Sequence, residues 1–239
     1  MSKIITVLPT YNEAGNIREL ITELLALPHN LSVLVVDDNS PDGTAELAEE
    51  LARNEERLRV IKNPERTGRG SSGRQGFLEA LKAGAEWVLE MDADFSHRPQ
   101  DVPALLEAAP EADLVIGSRF CVGGRIEGRS VMRDVSSSLA EAYLQLLLDL
   151  EVKDPSSGFR LWKKETLQAI DCGSLRSRGP FIVTESLYRV RRKGLTVVEV
   201  PITFQERKAG ESKLKLKTLL NYLWLVLKLR IDPDNFRGY

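Results

Sequence analysis

The chain has 239 residues, 42% hydrophobic and 28% charged, which suits one large α/β domain with a sizeable buried core. A formal net charge of −2 excludes a protein whose overall charge drives nucleic-acid binding. The two cysteines, Cys121 and Cys172, stand in no metal-like spacing and imply no disulfide framework, so a reducing compartment is expected.

From the N-terminus, short β-branched runs at Ile4–Leu8, Leu31–Val36, Leu58–Ile61, Trp87–Met91 and Leu114–Ile116 predict buried strands. Between them, Ile17–Leu27, Ala45–Arg53, Ser71–Ala83 and Asp101–Ala108 carry apolar residues at helical spacing. Repeated β-α units of this kind favour a mostly parallel sheet flanked by helices, whose ligands bind beyond the carboxyl ends of the strands. Residues 118–134, rich in Gly and Arg, read as a long loop, of a length that in a compact domain is functional or disordered. Further on come an apolar helix at Ser138–Leu150, a helix near Val183–Arg192 and a strand at Leu195–Phe204. A last, amphipathic helix is predicted from about Lys217 to Leu229. The N-terminus lacks a signal-peptide layout, and no linker divides the chain.

Three predicted strands end in acids. The first runs into Pro9-Thr10-Tyr11-Asn12-Glu13, the second into Asp37-Asp38 and the fourth into Asp92-Ala93-Asp94. Carboxylates two apart at a strand end reach one hard cation if the chain turns there, and Mg²⁺ or Mn²⁺ suits such a pair because substrate phosphates complete its shell. Asp42 and Thr44 read as turn and N-cap residues. Gly68-Arg69-Gly70-Ser71-Ser72-Gly73 is a literal G-x-G-x-x-G, but no strand immediately precedes it. It reads as a flexible loop over a bound ligand, with Arg69 or Arg74 available to phosphate. His97, beside the acid pair, is left out of the catalytic set, and both cysteines are taken as inert.

The motifs then carry a resemblance. Leu8-Pro9-Thr10-Tyr11-Asn12-Glu13, Val36-Asp37-Asp38-Asn39-Ser40-Pro41-Asp42-Gly43-Thr44 and Met91-Asp92-Ala93-Asp94-Phe95-Ser96-His97-Arg98-Pro99 occur in order. Gly117-Ser118-Arg119-Phe120, Ser157-Gly158-Phe159-Arg160, Glu199-Val200-Pro201-Ile202, Phe204-Gln205-Glu206-Arg207 and Gly210-Glu211-Ser212-Lys213 follow. The sequence resembles dolichyl-phosphate mannosyltransferases and related polyprenyl-phosphate hexosyltransferases, inverting glycosyltransferases with a single-domain GT-A fold. Arg69 departs from that pattern, standing where a smaller or apolar residue is frequent.

The resemblance implies a nucleotide-sugar donor held by Pro9, Tyr11, Glu13, Val36 and Asp38. It implies Asp92, Ala93 and Asp94 at the diphosphate, with Asp92 and Asp94 on a Mg²⁺ or Mn²⁺ ion. Asp94, Arg119, Arg207 and Lys213 form the catalytic set, the last three on phosphates, and Arg133 with Ser136 or Ser137 meets the acceptor phosphate. It divides the chain into a nucleotide-sugar-binding half (1–117), an acceptor-binding half (118–212) and an interfacial helix with tail (213–239). A polyprenyl phosphate, already dianionic at pH 7 because its second pKa is about 6, needs no general base.

From Arg207 to Arg230 seven basic residues face one acid, Glu211, and Trp224 and Tyr222 lie within. That composition predicts peripheral contact with the cytoplasmic face of a membrane, aided by a homo-oligomer or a membrane partner. The longest apolar run, Tyr222–Leu227, is far short of the roughly 18–20 residues of a span. Three rival readings are a soluble acceptor with the same donor, a non-catalytic nucleotide-binding module, and an oxidoreductase resting on the glycine motif alone.

Overall fold

The computed structural model describes residues 2–128, 142–205, 216–233 and 236. Its first half follows the expected alternation: β1 (Ile4–Thr10), α1 (Ile17–Ala26), β2 (Ser32–Asp37), α2 (Thr44–Ala52), β3 (Leu58–Lys62), α3 (Arg69–Lys82), β4 (Trp87–Glu90), α4 (Val102–Ala108) and β5 (Leu114–Ser118). Then come β6 (Arg125–Glu127), a helical stretch α5 (142–148), β7 (Arg160–Lys163), α6 (Lys164–Ala169), α7 (Ile182–Arg192), β8 (Val197–Pro201), β9 (Thr203–Gln205) and α8 (Leu216–Ile231).

Seven strands form one sheet in the order β3-β2-β1-β4-β7-β5-β8, parallel except for β7, which runs against both β4 and β5. Alternation along each strand sends side chains to opposite faces. Val7, Val36, Val88, Ile116 and Trp162 join Phe77 and Ala80 of α3 and the buried residues of α7 and α8. Leu8, Val35, Leu89, Val115 and Leu161 join α1, α2 and α4. A helix-covered sheet of this kind explains why every residue of β1 is buried. Gly76 lets α3 lie close to the sheet: a Cβ there would sit 2.2 Å from Val7 Cγ1.

The expected strand over 195–204 is two strands in different sheets. The ladder with β5 ends where the Ile202 amide donates to the Ser118 carbonyl at 3.1 Å. The chain then turns at Ile202, whose carbonyl accepts the Arg125 amide at 3.0 Å, and β9 pairs with β6 in a small second sheet. Part of the expected long loop after Ser118 is thereby ordered as β6.

The strand order reverses between the parallel neighbours β1 and β4, because the chain winds from β1 through β2 to β3 on one side and returns to β4 on the other. A crevice opens at such a switch point, beyond the carboxyl ends of the strands. There the chain takes left-handed turns after three strands, at Asn12 (φ 61°), Asn39 (φ 61°) and Phe95 (φ 59°). Asparagine tolerates this conformation; Phe95 holds it at a cost of roughly 1 kcal/mol.

Candidate active site

A cavity of about 300 Å³ fills that crevice, lined by Pro9, Thr10, Tyr11, Glu13, Asp38, Arg66, Arg69, Ser72, Asp92, Ala93 and Pro180. The fold thus gathers six of the seven expected donor-binding residues from three strand ends. Val36 is the exception. Its side chain is buried beneath α3, 3.4 Å from the place a Cβ on Gly76 would take.

The loop after β1 is held by the loop after β2. Ser40 Oγ accepts the Asn12 amide at 3.0 Å, Thr44 Oγ1 the Glu13 amide at 2.9 Å and Asp42 Oδ2 the Ala14 amide at 3.0 Å. Fully buried Asp37 locks these loops from below, accepting Thr10 Oγ1 at 3.0 Å and the Ser40 amide at 2.8 Å. The Glu13 side chain accepts Asn16 Nδ2 at 2.9 Å. Arg66 lies over the Tyr11 ring, its guanidinium carbon 3.8 Å from the centroid. That cation–π contact was not foreseen from sequence, where Arg66 is one more charged loop residue.

Asp38, on the cavity wall, also ties down the start of α3. Its carboxylate accepts the Thr67 amide at 2.7 Å, Thr67 Oγ1 at 2.8 Å, the Gly68 amide at 2.8 Å and Ser72 Oγ at 3.2 Å. Burial opposes its ionisation, but the donors from Thr67, Gly68 and Ser72 outweigh it and hold the carboxyl below its usual value. Asp38 therefore staples the start of α3 to the end of β2.

The glycine motif is not the flexible loop that sequence suggests; from Arg69 onward it is the first turn of α3. Gly70 donates to the Arg178 carbonyl at 2.6 Å, an approach only glycine permits, since a Cβ would lie 2.3 Å from the Ser177 carbonyl oxygen. Glycines are poor helix formers, and this tertiary contact overrides propensity. Neither nearby arginine is simply available to phosphate. Arg74 donates to the Leu175 carbonyl at 2.7 Å. Arg69 pairs through Nη1 with Glu90 at 2.7 Å and through Nη2 with Asp92 at 3.0 Å. Burial works against the charged guanidinium, yet Glu90 and Asp92 raise its pKa above the ordinary value.

Asp92 is 35% exposed on the cavity wall. Its amide donates to Nδ1 of His97 at 3.1 Å. His97 is buried and stacked on Phe159, and burial lowers its pKa against the pull of Asp92 and Asp94. A neutral ring whose Nδ1 already accepts a backbone amide acts as a strut for the turn that carries Asp92. Asp94 Oδ1 accepts the Ser96 amide at 3.0 Å and Ser96 Oγ at 2.6 Å, so the turn carrying both acids is tied internally.

Arg119, at the end of β5, forms a fork with Asp154, Nε at 2.7 Å and Nη2 at 2.5 Å, and Nη2 also meets Ser156 Oγ at 2.6 Å. Sequence reasoning missed Asp154, a lone acid in a predicted loop. It also missed Arg160, which is fully buried and donates to the carbonyls of Pro155 at 3.0 Å, Ser157 at 2.8 Å and Val183 at 2.7 Å. Burial pushes its pKa down to about 10. Arg160 thereby shapes the turn that brings Gly158 against Asp92. Both cysteines are free; burial raises each thiol, Cys172 to about 11, which keeps them unreactive.

Arg133, Ser136, Ser137, Arg207 and Lys213 lie outside the described residues. Among the described residues no group of three or more His, Cys, Asp or Glu side chains gathers as a metal site.

α8 buries Leu225, Val226 and Leu229 against the domain, while Trp224 is 52% exposed. Tyr143 of α5 donates to the Leu223 carbonyl at 3.2 Å, placing α5, with Leu146 87% exposed, beside α8. Core packing and an outward apolar face therefore coexist on one helix. No helix among the described residues is long and apolar enough to cross a membrane.

Residues 6–171 match the model of Glycosyl transferase family 2. The chain is 38% identical to the undecaprenyl-phosphate mannosyltransferase of Micrococcus luteus, over 89% of this chain and 87% of that protein. It is 37% identical to the polyprenol monophosphomannose synthase of Mycolicibacterium smegmatis, over 99% of this chain and 91% of that protein. In fold it is similar to the glucosyl-3-phosphoglycerate synthase of Mycobacterium tuberculosis, solved with Mn²⁺, UDP and glucosyl-3-phosphoglycerate. The TM-score is 0.71 at 20% identity, covering 96% of this chain and 80% of that one.

Proposed function

The chain belongs to glycosyl transferase family 2 and is a glycosyltransferase, and we propose that it transfers mannose, with inversion, from GDP-mannose to a polyprenyl phosphate. One observation carries the reading: the cavity between β1 and β4 is lined by both an aromatic–arginine pair, Tyr11 and Arg66, and a carboxylate, Asp92. A nucleoside needs a stacking surface at one end, and a diphosphate needs compensated charge at the other.

Asp92 and Asp94 would hold a divalent cation. Hard carboxylate oxygens on a tight turn suit Mg²⁺ or Mn²⁺, and the absence of a third acidic or histidine ligand among the described residues suits an ion whose shell substrate phosphates complete. Bound there, such an ion would neutralise charge growing on the departing diphosphate. Pro9, Tyr11, Glu13 and Ala93 wall the donor cavity. Asp38 positions α3, and Arg119, aligned by Asp154, supplies a guanidinium to phosphate oxygens. Arg207 and Lys213 are proposed to add charge there, and Arg133 with Ser136 or Ser137 to take the acceptor phosphate.

His97 is buried, neutral and spent on a backbone amide, so it offers no general base. An acceptor that arrives as a dianion does not require one. The exposed faces of α5 and α8 are proposed to rest on the membrane that holds this lipid.

The deciding experiment incubates the protein with labelled GDP-mannose, polyprenyl phosphate and Mg²⁺ or Mn²⁺, and follows label into the organic phase. Transfer from GDP-mannose is expected. No organic-phase label from GDP-mannose or UDP-glucose, with transfer to a water-soluble phosphate instead, would replace the lipid acceptor.

A further inference from the structure

Arg69 is not needed to build α3, whose start is already tied by Asp38 and by Gly70 against the Arg178 carbonyl. Those ties aim its side chain back across the end of β4. There the guanidinium meets Glu90, 2% exposed, whose other oxygen accepts Trp162 Nε1 at 3.2 Å. Glu90 is thus fixed in the core, and Arg69 is anchored by it. The second guanidinium nitrogen lies 3.0 Å from Asp92 Oδ1, on the cavity wall. Gly158 makes room for this, since a Cβ there would stand 2.9 Å from Arg69 Nη2.

A cation held against Asp92 competes with any second cation for the same carboxylate. A diphosphate changes the balance, because its charge attracts the guanidinium and a metal ion together. We propose that Arg69, anchored by Glu90, is a built-in counter-ion on Asp92 that disfavours a divalent cation in the empty cleft and couples cation binding to the nucleoside diphosphate. The proposal rests on the donor site described above and makes Arg69 a positioning residue for Asp92. By linkage, the nucleotide must raise the metal's affinity by the same factor that the metal raises the nucleotide's.

The test is calorimetric titration of the full chain with MnCl₂ alone, and with MnCl₂ after saturation by GDP or UDP. For the wild type, weak Mn²⁺ binding strengthened about tenfold or more by one nucleotide is expected. Arg69→Leu should bind Mn²⁺ alone about tenfold tighter and show weaker coupling, the remainder coming from phosphate oxygens in the cation's shell. Glu90→Gln, which leaves the guanidinium compensated by Asp92 alone, should bind Mn²⁺ alone more weakly than the wild type, and Arg69→Lys, which keeps the charge, should bind it no more tightly than the wild type. Leucine strands the buried Glu90 charge, so the charge-free pair Arg69→Leu with Glu90→Gln decides if the single variant fails to fold; it too should bind Mn²⁺ alone more tightly. A wild type that binds neither nucleotide, with or without Mn²⁺, overturns the donor site and this inference together. A wild type that binds normally, with a folded Arg69→Leu or charge-free double variant whose Mn²⁺ affinity is unchanged or lower, overturns this inference only.

Discussion

Arg119 and Asp154 are joined twice through side chains and once through the Arg119 amide, which donates to Asp154 Oδ2 at 2.8 Å. Asp154 is fully buried, and its own amide is held by Glu199 at 2.9 Å, so the guanidinium is aligned by a fixed partner. Removing that partner strands a mostly buried charge. Asp154→Ala is expected to destabilise the fold by about 3–5 kcal/mol. Arg119→Lys, which keeps charge but loses the planar fork, should lower kcat/KM by about tenfold with a smaller loss of stability. Urea denaturation and steady-state assays separate the two effects.

Asp94 offers a cleaner separation of charge from structure. Asp94→Asn keeps an oxygen for the Ser96 amide and hydroxyl, so stability should stay within about 1 kcal/mol of the wild type. Transfer should nonetheless drop by at least about a hundredfold, because a neutral amide is a poor ligand for a hard cation. Asp94→Ala should abolish transfer. Near-normal turnover in either variant removes Asp94 from the catalytic set.

Asp38 predicts a pH dependence of stability. Its folded carboxyl lies below the ordinary value of 3.8, so the unfolded chain binds that proton more readily. The stabilisation is complete above 3.8 and is lost as pH falls through the lowered folded value. Denaturant midpoints from about pH 6 down to about pH 2.5 should therefore fall less steeply for Asp38→Asn than for the wild type. Parallel curves would show that Asp38 contributes nothing to the acid limb.

Gly70→Ala should push α3 off the segment carrying Pro180, because the new Cβ would lie 2.3 Å from one carbonyl oxygen and 2.6 Å from another. A cost of about 1–3 kcal/mol and a raised KM for the donor are expected. Gly15→Ala is the control: nothing lies within 4 Å of its Cβ, and stability should change by less than about 0.5 kcal/mol. Equal effects at the two glycines would contradict the close approach at Gly70.

Trp224 and Leu146 should report membrane contact. Sedimentation with anionic vesicles at low salt is expected to capture the protein, and Trp224→Ser with Leu146→Ser to weaken capture about tenfold without lowering Tm. Recovery of the wild type entirely in the supernatant would end the peripheral-membrane reading.

The β-α alternation and the acids ending β1, β2 and β4 were legible because side-chain periodicity and turn chemistry act within a few residues. The resemblance placed Pro9, Tyr11, Glu13, Asp38, Asp92 and Ala93 at the donor, and all six line the cavity; Val36 does not, because its direction depends on which face of β2 meets α3. Other features depended on partners far away in the chain. The Gly68–Gly73 segment reads locally as a loop, yet the carbonyl of Arg178 makes it a helix start. The strand expected over 195–204 breaks because β5 ends its pairing at Pro201 and β6 waits beyond.

Local pattern determined the fold class and the edge of the sheet where chemistry occurs, and the ordered motifs carried the resemblance that implied the enzyme class. Each depends on local pattern, which a linear chain displays in full. Only the tertiary structure decided what the charges do there. Asp38 became a staple, Arg69 a partner of Asp92, and Asp154 the aligner of Arg119. Coulomb and hydrogen-bond energies fall with distance in space, and residues 23 to 35 positions apart become neighbours only after folding.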